Sequence, residues 1–289
     1  MEFKLNGFEK FIIKHRIAII RVTGLLSIIG IIISEVMSVS VGALLSFVVL
    51  LLVVQLYTSI ILKKSKESLA LRNKYLQPVK ALEATNQLIE TTGEKDFQNK
   101  AVFLNNRIAF LISLGELEQA ENEIRLFWQY FQKKKLTAST NMYIHTNMST
   151  IALRKRDFKS YEGQFRIIQG YSNKKLNKRL KRQMQHMIVN LTQYAEATVA
   201  NENSDFDEYS ARVWQTMHFE PVKEKFLTDE QVEPHSYLYA YEKFFIFAQN
   251  KGDIEKAKTY AQQILNIGNE QFYIYRKAKE YLENENSSN

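Results

Sequence analysis

The chain has no cysteine, and only 3 prolines and 10 glycines in 289 residues. Without cysteine there is no disulfide, no thiolate metal site and no sulfur nucleophile, a composition that fits a soluble part kept in a reducing compartment. With so few breakers, long helices are favoured over many short strands joined by turns. Several chemical signatures are also missing: there is no glycine-rich phosphate loop, no His-Glu-x-x-His pair, no nucleophile elbow and no carboxylate cluster at calcium-loop spacing. His15, His145, His186, His218 and His235 are scattered, and imidazoles so placed are more often surface or core residues than ligands. The expectation is a protein that is not an enzyme and holds no cofactor or metal.

What is present begins with two long apolar runs. From Ile17 to Ser34 the only charge is Arg21, and the 24 residues from Val39 to Leu62 carry none. At about 1.5 Å per residue the second run reaches roughly 36 Å, against a bilayer core of about 30 Å. The spans 17–34 and 39–62 are therefore expected to form a transmembrane hairpin. Lys4, Lys10, Lys14, Arg16 and Arg21 lie before or early in the first run, Lys63, Lys64 and Lys66 follow the second, and the short connection holds only Glu35. The positive-inside bias then places both termini, and everything after the hairpin, in the cytoplasm at the plasma membrane. Gly30 and Ser34 on one run and Gly42 and Ser46 on the other have the small-residue spacing that lets helices approach closely in lipid. A cleaved signal peptide fits worse, because cleavage near Val41-Gly42-Ala43 would leave another apolar run at the new N-terminus. Phe8, Phe11, Ile12 and His15 have helical spacing, which suggests an amphipathic lead along the inner membrane surface.

The net charge of +8 is unevenly spread. Residues 133–182 hold 14 basic and 2 acidic side chains, a net of +12, whereas 183–289 hold 10 and 17, a net of −7. Lys174, Lys175, Lys178, Arg179, Lys181 and Arg182 fall within nine residues that contain no acid. Such a stretch on a tethered domain suits anionic inner-leaflet lipid, at about 1 kcal/mol per well-placed basic residue. Nucleic acid ranks behind lipid because no nucleic-acid motif accompanies the charge. A solvated face, or pairing with the acidic C-terminal part, stands beside both.

After Leu62 the chain reads as helix after helix. Gln249 to Ala257, with Gly252 at the turn and Tyr260, Ala261, Ile264 and Leu265 behind it, resembles the turn and second helix of a tetratricopeptide repeat. Leu114 to Ala120, with Gly115 at the turn and Ile124 and Phe127 behind it, has the same form. Two degenerate copies lie at Arg156 to Ile168 and at Ser204 to Thr216. The turn positions 115, 156, 204 and 252 are 41, 48 and 48 residues apart, longer than the 34 of strict repeats. The fold expected is all-α: a two-helix transmembrane hairpin over residues 1–65, a linking helix over 66–98 with Pro78 near a boundary, and a tetratricopeptide-like α-solenoid over 99–289 ending in a capping helix at 270–284. Tyr237, Tyr239, Tyr241, Phe244, Phe245 and Phe247 are expected to pack between repeats.

The resemblance implies that first helices line a concave groove. In that register Asn105 and Asn106 in the first pair, and Asn147, Thr150 and Arg154 in the second, form a candidate partner-binding set. Asparagine pairs with a peptide backbone as donor and acceptor, and arginine holds a carboxylate. Solvated polar residues without a ligand are the simpler alternative. The function expected is a membrane-tethered adaptor or scaffold for a protein or peptide. A sensor of a short signalling peptide, and an enzyme with an unrecognised site, are the alternatives.

Overall fold

A computed structural model describes residues 2–36, 40–172 and 176–287, without the side-chain surroundings of 36, 40–43, 172 and 286. Among the described residues the chain forms twelve α-helices, one short 3-10 turn and one two-residue β-hairpin. The helices are α1 (Gly7–Val36), α2 (Ser40–Asn73), α3 (Pro78–Thr91), α4 (Phe97–Leu114), α5 (Leu117–Phe131), α6 (Ala138–Arg154), α7 (Phe158–Ser172), α8 (Lys178–Val199), α9 (Phe206–Met217), α10 (Pro234–Lys251), α11 (Ile254–Ile267) and α12 (Tyr273–Ser287). Strands β1 (Phe219–Glu220) and β2 (Lys225–Phe226) pair antiparallel between α9 and α10.

Helices α1 and α2 are long and apolar enough to cross a bilayer, and only 11% of each apolar window is buried. A core helix of a soluble protein would hide that surface, whereas here Leu25, Leu26, Ile32, Leu44, Leu45 and Leu52 are exposed. The helices pack against each other through small residues. Ser27 Oγ donates to the Ser46 carbonyl at 2.9 Å. A Cβ on Gly30 would lie 3.2 Å from the Ser46 Cβ and closer still to its hydroxyl, so this contact needs glycine. Met37, Ser38 and Val39 lie outside the described residues, and the surroundings of Gly42 are likewise not described.

Two boundaries differ from the sequence expectation. The lead is not a separate surface helix, because α1 runs unbroken from Gly7, burying Ile12 and Ile13 while exposing Phe8 and Phe11. The linking helix is two pieces: residues up to Asn73 prolong α2, and Pro78 occupies the first turn of α3, where a missing N–H costs nothing. Both pieces belong to the core beyond the apolar helices. Leu5, Ile13 and Ile61 bury themselves against Leu88 and Phe103, and Leu71 packs with Ala81, Ala84 and Phe110. Arg16 Nη1 donates to both oxygens of the buried Asp96 carboxylate at 2.9 and 2.8 Å, and Lys64 is held by Glu9, Glu67 and the Lys4 carbonyl.

Beyond α3 the helices pair as α4 with α5, α6 with α7, and α10 with α11, while α4, α6, α8 and α10 pack side by side in sequence order. Three of the four turn positions read from the sequence share one hydrogen-bond pattern. The amide of Gly115 donates to Ile112 O and that of Glu116 to Leu111 O; Arg156 with Asp157, and Gly252 with Asp253, repeat the scheme. This is the Schellman arrangement, which needs a left-handed residue. Gly115 (φ 82°) and Gly252 (φ 81°) supply it freely, and Arg156 adopts φ 56° despite its Cβ. At the fourth position Asp205 caps α9, accepting from the amides of Asp207 and Glu208. The second-helix positions read from the sequence face the core: Ala120, Ile124, Phe127, Ile168, Tyr209, Val213, Ala257, Ala261 and Ile264 are all buried.

The array then closes on itself. Helix α10 touches α2 and α12 touches α4. Asn269 donates to the Leu76 carbonyl and Arg276 to that of Leu114, both at 2.7 Å. Tyr273 lies against Gly115, where any Cβ would meet its ring.

Candidate functional site

The first helices bring most of the expected binding set together, with their polar groups turned towards one another. Asn147 Nδ2 donates to the Asn105 side-chain oxygen at 2.8 Å and to its carbonyl at 3.2 Å, so both amide hydrogens are used. Asn147, Thr150 and Arg154 line an interior cavity of about 150 Å³ with Arg72, His235 and Glu242. Asn105 sits behind Asn147, and Asn106 is half-buried outside the cavity lining.

Arg154 is engaged within the fold. Its Nη2 donates to Glu242 Oε1 at 2.8 Å, its Nη1 reaches the Ile112 carbonyl, and its guanidinium lies 5.2 Å from the Tyr273 ring centre. Tyr194 donates to the same Glu242 oxygen at 2.9 Å. The side chains of Arg154 and Glu242 are only 7% and 4% exposed, so the charges depend on each other. Burial works against the Arg154 charge, and Glu242 together with Tyr194 and Tyr239 more than offsets it, holding its pKa above the ordinary arginine value. A second cavity of about 170 Å³ touches the far side of the pair, next to Tyr194, Gln249 and Lys277. The pair is thus a partition between two small chambers.

Sequence reading missed four members of this cluster, Arg72 at the end of α2 among them. Glu242 and Lys243 interrupt the aromatic run of α10, and two charges on a helix otherwise packed with Tyr and Phe were the available signal. Lys243 is 2% exposed, with Nζ donating to Asn190 Oδ1 at 2.9 Å and Gln193 Oε1 at 3.1 Å. Desolvation pushes its pKa down to about 7, with Glu242 opposing. His235 was one of five scattered imidazoles; its burial, and then the charges of Arg72 and Arg154, push its pKa well below the usual histidine value.

The basic stretch divides. Lys174 and Lys175 lie outside the described residues. Lys178, Arg179 and Lys181 are exposed with no acidic partner among the described residues, whereas Arg182 is paired with Glu224 of the β-hairpin connection. Lys155 pairs with Glu121, and Arg156 with Asn250. Beside Arg182 opens a groove of about 420 Å³ between α8, α9 and the β-hairpin. Val189, Phe219, Pro221 and Phe226 give it an apolar lining, and Phe226 is 65% exposed.

Comparison with protein-family models, with curated proteins and with solved structures finds no match for this chain.

Proposed function

We propose that the chain is a non-enzymatic, membrane-tethered adaptor: a tetratricopeptide-like helical-repeat domain held at the inner face of the plasma membrane to dock a protein partner. Stacked first helices, Schellman turns and a buried Ala at Ala120 and Ala257 support the repeat reading. The basic flanks of the hairpin support a cytoplasmic domain, and an externally active alkaline phosphatase fused after the C-terminus would overturn that topology.

The single observation that carries the docking reading is the groove between α8, α9 and the β-hairpin. Its apolar floor ends at Arg182, one turn of α8 beyond Lys178 and Arg179, which with Lys181 are exposed and lack acidic partners among the described residues, so the charge complement of this end is an acidic segment with apolar side chains. The interior chambers, at about 150 and 170 Å³, admit a peptide only if Arg154 and Glu242 part. The free edge of a two-stranded sheet adds backbone donors and acceptors for an extended partner.

A photo-crosslinker at Phe226 in the full-length chain, within native membranes, tests the reading. The expected product is one protein adduct that disappears when Lys178 and Lys181 are replaced by glutamate. Adducts to lipid alone, in a chain whose vesicle binding falls with the same substitutions and with salt, would instead favour anionic lipid as the occupant of the basic rim.

A further inference from the structure

The interior cavity next to the Arg154–Glu242 pair is lined by an arginine that no carboxylate pairs. Arg72 enters from the end of α2; its Nε donates to Asn73 Oδ1 at 2.8 Å and its guanidinium rests 5.1 Å from the Phe110 ring centre. Among the described residues no carboxylate lies within ion-pair distance of it. Glu233, whose field acts on Arg72, is exposed at the start of α10 and makes no such pair. His235 has no hydrogen-bond partner among the described residues, and the Nε–H of the buried Arg154 has none either. The one carboxylate in the lining, Glu242, already accepts from Arg154 and Tyr194. Asn147 and Thr150 are neutral, so their oxygens can accept a hydrogen bond but cannot balance the Arg72 charge.

We infer that this cavity is a binding site for a compact oxyanion, a phosphate or carboxylate group, held by Arg72 and His235. The size admits it: a space of about 150 Å³ is several times what one water needs, which leaves room for such a group. Water would satisfy the orphan donors yet leave the Arg72 charge unpaired, whereas an oxyanion does both through the planar fork of the guanidinium. Since Arg72 continues the second apolar helix and His235 opens α10, an anion here would tie the hairpin to the C-terminal helices.

The test uses the full-length chain in detergent, with tryptophan fluorescence following thermal unfolding in chloride buffer of fixed ionic strength. Inorganic phosphate and acetate are titrated separately. The expected result is a saturable rise in Tm with one of them, and the anion that saturates at lower concentration identifies the group. Arg72→Gln should move the midpoint at least tenfold higher while changing Tm in chloride by a few degrees at most. Lys181→Gln, on the surface, should leave the midpoint unchanged. If Arg72→Gln fails to fold, His235→Gln decides by the same criterion. Absence of any saturable rise, or a midpoint that ignores these cavity substitutions, overturns the site.

Discussion

Lys243 and Arg156 each occupy a place that works against their chemistry. Lys243 is buried with its ammonium on two amide oxygens, and its folded pKa of about 7 lies below the unfolded value of about 10.4. The sign follows: between those values the unfolded chain holds the proton and the folded chain does not, so stability rises with pH from about 7 towards 10. The slope contributed is at most about 1.4 kcal/mol per pH unit. Thermal unfolding of the Lys243→Met chain from pH 7 to 9.5 should show that slope removed; an unchanged slope would mean the ammonium is solvated. Arg156 holds the left-handed conformation that glycine takes at the equivalent turns, a cost of roughly 1–2 kcal/mol. Arg156→Gly should therefore stabilise by about 0.5 kcal/mol after the extra freedom of unfolded glycine and the loss of one exposed bond to Asn250. Gly115→Ala should do the reverse, by about 1–2 kcal/mol or more, since its φ is positive and Tyr273 fills the space. Denaturant midpoints of the two variants should move in opposite directions.

At the level of helices, the turns were legible because their chemistry is local. Gly115 and Gly252 mark left-handed caps, and the register of Ala, Ile and Phe behind them follows from a 3.6-residue period. Pro78 marked a helix start, although the residues before it prolong α2. The β-hairpin was not legible, since two-residue strands around Pro221 show neither alternation nor an Asn-Gly turn. The candidate site was half legible. Asn105 and Asn147 are 42 residues apart, about the interval between the first two turns, and so the register places them together. Arg154 finds Glu242 88 residues away, across two further hairpins, and no local pattern encodes that pairing. Its energetics can be measured by a double-mutant cycle. Glu242→Ala should cost about 3–5 kcal/mol by leaving Arg154 buried and unpaired, whereas replacing both residues by methionine should cost much less. Additive single and double losses would mean that the two charges do not depend on each other.

For the whole molecule, the sequence suggests a boundary near residue 65, with an anchor on one side and a self-sufficient domain on the other. The packing runs across that boundary. Leu5, Ile13 and Ile61 cover Leu88 and Phe103, Arg16 neutralises a carboxylate that is 4% exposed, and Gly93 gives way to the Lys14 backbone. Composition cannot reveal this, because a leucine buried against a domain and one facing lipid look alike in a hydropathy profile. A fragment of residues 66–289 should keep its helical circular dichroism, since most hairpins lie within it. It should nevertheless expose Leu88 and Phe103 as an apolar patch and leave Asp96 without Arg16. The expected outcome is concentration-dependent self-association, read by light scattering, together with amide exchange faster in α3 and α4 than in the full-length chain. Leu88→Gln then has opposite effects in the two contexts. In the fragment it should reduce association by removing exposed apolar surface; in the full-length chain it should destabilise by about 2 kcal/mol or more, because the new amide is buried among Leu5, Ile13 and Phe103. A monomeric fragment with full protection of α3 and α4 would show that the domain is complete without its membrane-side helices.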